Sequence, residues 1–107
     1  MGFDTVVPIR AGELDAGLTI AAGGTAEVAL AAQTDRTYLE IQNPSTATEV
    51  LYFRTDGTAA ADKTSRSLGI GESWWNPPGA CPTGAVSVFA ATTGHVVVCK
   101  YMRGNRP

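Results

Sequence analysis

The sequence predicts an all-β domain, an antiparallel β-sandwich of jelly-roll-like type with about seven to eight short strands. Three observations favour this class. Twelve glycines and six prolines interrupt the chain at short intervals, apolar residues do not recur at helical spacing without interruption, and several runs alternate apolar and polar residues. A length of 107 residues fits one domain with a single core.

The clearest predicted strand is "RTYLEIQN", residues 36–43. Leu39 and Ile41 point to one side of it, as expected of a strand with one buried face. The opposite side is expected to carry Arg36, Tyr38, Glu40 and Gln42. Pro44 follows Asn43 and ends the strand, because proline cannot donate to a sheet ladder and restricts the residue before it.

The next strand, "EVLYFR" at residues 49–54, has bulky side chains on both faces. Leu51 and Phe53 share one face and are predicted to enter the core. Tyr52 lies on the other face, where we expect it to contact another chain. The alternative is an amphipathic tyrosine whose ring covers the sheet while its hydroxyl reaches water.

Two further segments are also interpreted as strands. "TAEVALA", residues 25–31, is alanine-rich and could form a short helix, but its alternation favours a strand with Val28 and Leu30 on one face. In "SLGIGESWWNPPG", residues 67–79, Leu68 and Ile70 are expected to point inward.

The C-terminal part, "GAVSVFAATTGHVVVCKYM" at residues 84–102, predicts two strands joined by a turn at residues 92–94. The small and polar loop "TDGTAAADKTSRS", residues 55–67, is expected to cross the surface between the two sheets.

Three segments are predicted from these patterns: an N-terminal arm at 1–16, a β-sandwich domain at 17–102 and a C-terminal tail at 103–107. The two flanks lack the periodicity of core strands. Such segments either fray or dock on a neighbouring chain.

The sequence contains no recognisable catalytic, cofactor-binding or metal-binding motif. His95, the only histidine, follows the predicted turn and is expected to be exposed. Cys99 lies in an apolar alternating run typical of a buried structural thiol, whereas Cys81 lies in a loop. No secretory leader is recognised, so reduced thiols are expected, although a disulfide remains possible. An enzyme assembled around His95 and Cys81 is a weak alternative.

Charge and hydropathy argue against nucleic-acid and membrane partners. The formal net charge is -2, which supplies no positive field for a polyanion. Apolar runs are far shorter than the roughly 20 residues that span a bilayer. The charge is uneven, with a net -5 over residues 1–53 and +3 over residues 54–107. These halves could complement the matching regions of a neighbouring copy.

The most distinctive local feature is the pair Trp74-Trp75. Adjacent residues on a strand face opposite ways, so only one of them can be central to the same core. The other can pack on a loop, contact another subunit or stack on a sugar or another flat ligand.

Three segments, "RTYLEIQNPSTATEVLYFRTDGTAA", "SRSLGIGESWW" and "GAVSVFAATTGHVVVCKY", resemble small structural proteins of tailed bacteriophages and gene transfer agents. The shared pattern is an Arg-initiated strand ending in Asn, an "LY" strand, a Gly-Ala loop, a "G-E-S" approach to a tryptophan and a final hairpin. The resemblance covers roughly residues 24–102.

This resemblance implies a β-sandwich that forms a symmetric homo-oligomer and attaches to a virion without catalysis. The expected position is the capsid surface, as a head spike or head-fibre base or as a decoration protein, assembled in the host cytoplasm. The expected partners are capsid or other virion proteins, and also a fibre protein or a host polysaccharide. The alternative is a carbohydrate-binding sandwich or tail-tip component. The predicted interface residues are Tyr52, Trp74, Trp75, Lys100, Arg103 and Arg106.

Overall fold

The computed structural model describes residues 13–104 of the chain, and this part contains nine β-strands and no helix. The strands are β1 (Glu13–Asp15), β2 (Leu18–Thr19), β3 (Glu27–Leu30), β4 (Arg36–Gln42), β5 (Leu51–Arg54), β6 (Arg66–Leu68), β7 (Ser73–Trp75), β8 (Val86–Phe89) and β9 (Val96–Arg103). They form two antiparallel sheets, which confirms the predicted all-β sandwich.

Each sheet contains strands from both halves of the chain. The five-stranded sheet has the order β1-β9-β4-β7, with β2 also paired to β9. The four-stranded sheet has the order β3-β8-β5-β6. Hydrogen-bonded neighbours are therefore mostly far apart in sequence.

The pairing follows the pattern of one long hairpin rolled up over two sheets. β1 and β2 both pair with β9 and act as one strand interrupted at residues 16–17. Moving inward along the chain from both ends, β3 pairs with β8, β4 with β7 and β5 with β6, always antiparallel. Such nesting of eight strands is the jelly-roll arrangement.

The core lies between the two sheets and is supplied mainly by the alternating strands. Leu39 and Ile41 of β4 are fully buried, as are Leu51 and Phe53 of β5. All four inward orientations were predicted from alternation. Burying each such side chain contributes about 1.5–3 kcal/mol.

Strand β3 departs from the predicted alternation. Its pairing with β8 shifts register between Val28 and Leu30. Because a bulge of this kind inserts an extra residue, the two side chains no longer share a face. Leu30 is buried, but Val28 is 63% exposed, so the prediction that Val28 and Leu30 share one face was wrong.

Arg36 also lies on the opposite side from the prediction. A register shift between Arg36 and Tyr38 turns its side chain inward, where the residue is only 3% exposed. Burial lowers its pKa, and its donors are used by oxygen acceptors, as buried charges require. The guanidinium donates to the carbonyl oxygens of Ala31, Pro82 and Gly84 and to the side chain of Gln33.

Ile70 was predicted to point inward but is 54% exposed. Strand β6 ends at Leu68, and a tight turn follows in which Glu72 donates its backbone N–H to the carbonyl of Gly69 at 3.0 Å. Gly71 in this turn has φ +81°, a conformation that favours glycine. The turn carries Ile70 away from the core.

The loop after β5 connects two strands of the same sheet and does not cross between sheets as predicted. It folds back over β8, where the buried residue Ala59 donates its N–H to the Ser87 hydroxyl at 2.9 Å. The loop therefore covers part of the outer surface of the four-stranded sheet.

Both ends of the sandwich reach beyond the predicted domain limits. Glu13–Asp15, assigned to the N-terminal arm from sequence, pairs with β9 as strand β1. Strand β9 ends at Arg103, one residue into the predicted tail. The rest of the predicted arm, residues 1–12, and residues 105–107 of the tail lie outside the described residues.

Candidate functional site

The outer surface of the five-stranded sheet presents a tryptophan among polar side chains. We call it the Trp75 face. Its members alternate with buried core residues along β4, β7 and β9. They are Tyr38, Glu40, Gln42, Ser73, Trp75, Val96, Val98, Lys100 and Met102, and Glu13 and Asp15 of β1 lie on the same side.

The centre of the Trp75 face is a row of four residues that lie directly opposite one another on neighbouring strands. Asp15 pairs with Lys100, Lys100 with Glu40, and Glu40 with Trp75. Adjacent strands are about 4.8 Å apart. Trp75 is 59% exposed at one end of this row.

Glu40 is held by a neighbour on its own strand. The Tyr38 hydroxyl donates to Glu40 Oε1 at 2.8 Å. Burial and this hydrogen bond raise the pKa of Tyr38 to about 12, so the hydroxyl keeps its proton at neutral pH. Within the part of the chain that the structure describes, Glu40 Oε2 has no hydrogen-bond donor.

Lys100 is turned toward the other end of the row. Its Nζ lies 3.5 Å from Asp15 Oδ2. The backbone N–H of Gly17 donates to Asp15 at 2.7 Å, and this bond together with Lys100 lowers the pKa of Asp15. The lysine charge is thus opposed by Asp15 on one side and faces Glu40 on the other.

Trp74 points to the opposite side of β7 and packs against the core. Its ring lies 5.3 Å from the ring of Phe53, and the Arg66 guanidinium lies 5.6 Å from the Trp74 centroid. Trp74 thus closes the side of the sandwich between β7 and β6. Trp74 is half-buried in this position, and Trp75 is the more exposed member of the pair.

The end of β7 is fixed by the side chain of Asn76. Asn76 is buried, its Oδ1 accepts the backbone N–H of Leu39 at 2.9 Å, and its own N–H donates to the Leu39 carbonyl at 3.2 Å. Its Nδ2 donates to the Pro77 carbonyl at 2.8 Å. The residue after Trp75 is therefore tied to β4, which holds the backbone beneath the indole.

The outer surface of the four-stranded sheet is a second distinct surface, the Tyr52 face. It consists of Val28, Tyr52, Arg54, Ser67, Ser87 and Phe89. Tyr52 is half-buried because its ring packs edge-on against Phe89, with centroids 6.2 Å apart. This packing leaves part of Tyr52 on the surface.

An open groove of about 500 Å³ lies beside this surface, between β3 and the loop that follows β5. Small residues line its floor around Gly84, and exposed Val28 forms part of its wall. A Cβ added at Gly84 would lie 2.7 Å from the Thr55 carbonyl oxygen. The close approach of this loop to β8 therefore requires glycine.

His95 is buried, which corrects the exposed position predicted for it. Asn43 Nδ2 donates to the carbonyls of Glu49 and Leu68, at 2.9 and 3.1 Å. Asn43 Oδ1 must therefore accept from His95 Nε2, at 2.8 Å, and the hydrogen is assigned to that nitrogen. His95 Nδ1 lies 3.5 Å from Glu49 Oε2. The histidine thus joins the start of β9 to the loop between β4 and β5.

The two cysteines are free and differ in accessibility. Cys99 is fully buried, as predicted, and burial raises its pKa to about 11. Cys81 is half-buried, and its pKa is also raised by burial, against the lowering effect of Arg36. Both shifts favour the thiol over the nucleophilic thiolate.

Two of the basic residues predicted to lie in an interface, Lys100 and Arg103, form ion pairs within the subunit. Arg103 Nε donates to Asp35 Oδ1 at 2.9 Å. This ion pair and the Lys100–Asp15 pair both join the acidic half of the chain to its basic half. Arg106 lies outside the described residues.

Among residues 13–104, no group of three or more His, Cys, Asp or Glu side chains could hold a metal ion. The same range includes no helix that is long and apolar enough to cross a membrane. Comparison of the chain with protein-family models, with curated proteins and with solved structures finds no match.

Proposed function

We propose that this protein is a non-enzymatic structural component of a phage-like particle. It forms a symmetric homo-oligomer on the capsid surface, as a head spike or head-fibre base or as a decoration protein. Its partners are further copies of itself and capsid or other virion proteins, and it joins the virion in the host cytoplasm.

The observation that carries this proposal is the strand order. Nested antiparallel pairs across two sheets define a jelly roll, an architecture found in viral capsid proteins and lectins. This support is an analogy of fold, and the sequence resemblance to phage and gene-transfer-agent proteins points in the same direction.

The Tyr52 face is our candidate for the contact with another protein chain. Exposed Val28 and half-buried Tyr52 supply apolar area, and the adjacent groove of about 500 Å³ supplies a concave surface. Aromatic residues beside concave apolar surfaces are common anchors of protein interfaces.

The test is co-sedimentation of the purified protein with particles that lack it. Wild type should sediment with the particles, and Tyr52→Ala should reduce the bound fraction without loss of the folded subunit. Trp75→Ala is the matched control, because it removes an aromatic ring from the opposite sheet. Failure of the wild type to bind particles or to self-associate would contradict the proposal.

A further inference from the structure

We propose that the Trp75 face binds neutral polysaccharides. The Trp75 indole stacks on a hexopyranose ring, and Glu40 and Gln42 form hydrogen bonds with its hydroxyl groups. This role is separate from the assembly role of the Tyr52 face and goes beyond it.

The first element of the site is the indole itself. Trp75 is 59% exposed, while its neighbour Trp74 is packed against Phe53. The ring therefore stands on the surface of a rigid strand. The flat apolar face of an indole suits the C–H face of a sugar ring, and the tryptophan N–H adds a polar edge.

The second element is a set of unused hydrogen-bonding groups beside the indole. Glu40 lies directly opposite Trp75, and Gln42 lies on the same side of β4, two residues away and opposite Ser73. In residues 13–104, neither Glu40 Oε2 nor the Gln42 amide has a hydrogen-bond partner. A carboxylate oxygen accepts and an amide both donates and accepts, which matches the alternating hydroxyls of a sugar.

The third element is rigidity beneath these groups. Asn76 ties the end of β7 to Leu39 through two hydrogen bonds, of 2.9 and 3.2 Å. The Tyr38 hydroxyl fixes one oxygen of Glu40 at 2.8 Å. Groups held in place before binding lose less entropy when a ligand arrives.

The charge of the surface disfavours an anionic ligand. The central row contains the carboxylates of Asp15 and Glu40 and one cation, Lys100, which is already paired with Asp15. Glu13 adds another carboxylate at the edge, opposite Met102. An acidic polymer, a nucleic acid or an anionic lipid surface would be repelled, whereas an uncharged polyol would not.

The apolar area is too small and too dispersed for a stable protein contact. A typical interface buries about 800 Å² on each partner around a cluster of apolar anchors. Among the described residues, the large apolar side chains most exposed on this surface are Trp75 and Val96. Val96 lies on β9, four residues before Lys100, whereas Trp75 lies on β7. Strand β4 separates β9 from β7, so the two apolar side chains do not lie on neighbouring strands. One isolated indole among polar groups fits a sugar ring better than a second protein.

The experiment is affinity electrophoresis of the full chain in gels containing dextran, a soluble mixed-linkage β-glucan or galactomannan, with alginate as the acidic control. We expect retardation by at least one of the three neutral polymers and none by alginate. Trp75→Ala should weaken binding by about tenfold or more, because it removes the flat apolar surface on which the sugar ring lies. Trp75→Tyr should restore part of it, and Gln42→Ala should weaken it by a few-fold.

Ile70→Ala is the control, because it removes an exposed apolar side chain outside both the Trp75 face and the Tyr52 face and should leave retardation unchanged. Circular dichroism and the oligomer mass of each variant separate loss of fold or assembly from loss of binding. Absence of retardation in all three neutral gels would overturn the inference, as would equal retardation of wild type and Trp75→Ala. A loss of oligomer mass in Trp75→Ala without sugar binding would instead identify this surface as a subunit contact.

Discussion

The side chain of Asn43 is the most heavily used buried hydrogen-bonding group near the end of β4, and its removal tests the packing described here. Asn43→Ala deletes two donated bonds, to the carbonyls of Glu49 and Leu68, and one accepted bond from His95. Asn43 is fully buried, so water cannot readily replace the lost partners.

Each of the three lost buried bonds costs about 1–1.5 kcal/mol, which predicts a total loss of roughly 3–4.5 kcal/mol. For a domain of this size, such a loss lowers Tm by roughly 15–25 °C. The measurement is the free energy of unfolding from urea titration at pH 7, supported by thermal melts. Gln42→Ala, one residue earlier and on the outer surface, should change stability by less than about 0.5 kcal/mol. A loss below about 1 kcal/mol for Asn43→Ala would refute this reasoning.

Two further predictions concern titratable groups. Native protein should react with a thiol reagent slowly at Cys81 and not at Cys99 until it unfolds, because Cys99 is fully buried with a pKa raised to about 11. Rapid native labelling of both thiols would contradict this. Burial raises the Glu49 pKa, but hydrogen bonding from Thr92, together with the nearby His95 ring, outweighs that effect and holds it below its usual 4.5. The ionised carboxylate therefore stabilises the fold above about pH 4.5, and this stability is lost as pH falls through the lowered pKa. Wild type should lose stability more steeply than Glu49→Gln in urea titrations between about pH 6 and pH 2, and parallel curves would contradict the assignment.

The sandwich could be predicted from local pattern because its central strands follow a period of two. Leu39, Ile41, Leu51 and Phe53 all point inward as alternation requires. The register shifts could not be predicted in this way. Val28 and Arg36 lie next to bulges set by the partner strands β8 and β9, and one inserted residue reverses the face of a side chain.

The buried hydrogen-bonding groups around His95 could not be predicted for a related reason. His95 follows a turn, which favours exposure, but its partners Asn43 and Glu49 lie 52 and 46 residues earlier in the chain. Only the rolled strand order brings them together. For the candidate site, the pair Trp74-Trp75 predicted one inward and one outward ring. The β4–β7 register decides which ring is outward, and it also places Glu40 opposite that ring.

The most direct test of the proposed assembly role is the mass of the purified wild-type protein in solution, measured by light scattering across a concentration series. We predict a discrete species whose mass is a fixed whole-number multiple of the subunit mass over a broad range of concentration. A single-subunit mass at every concentration up to the solubility limit would contradict a symmetric homo-oligomer.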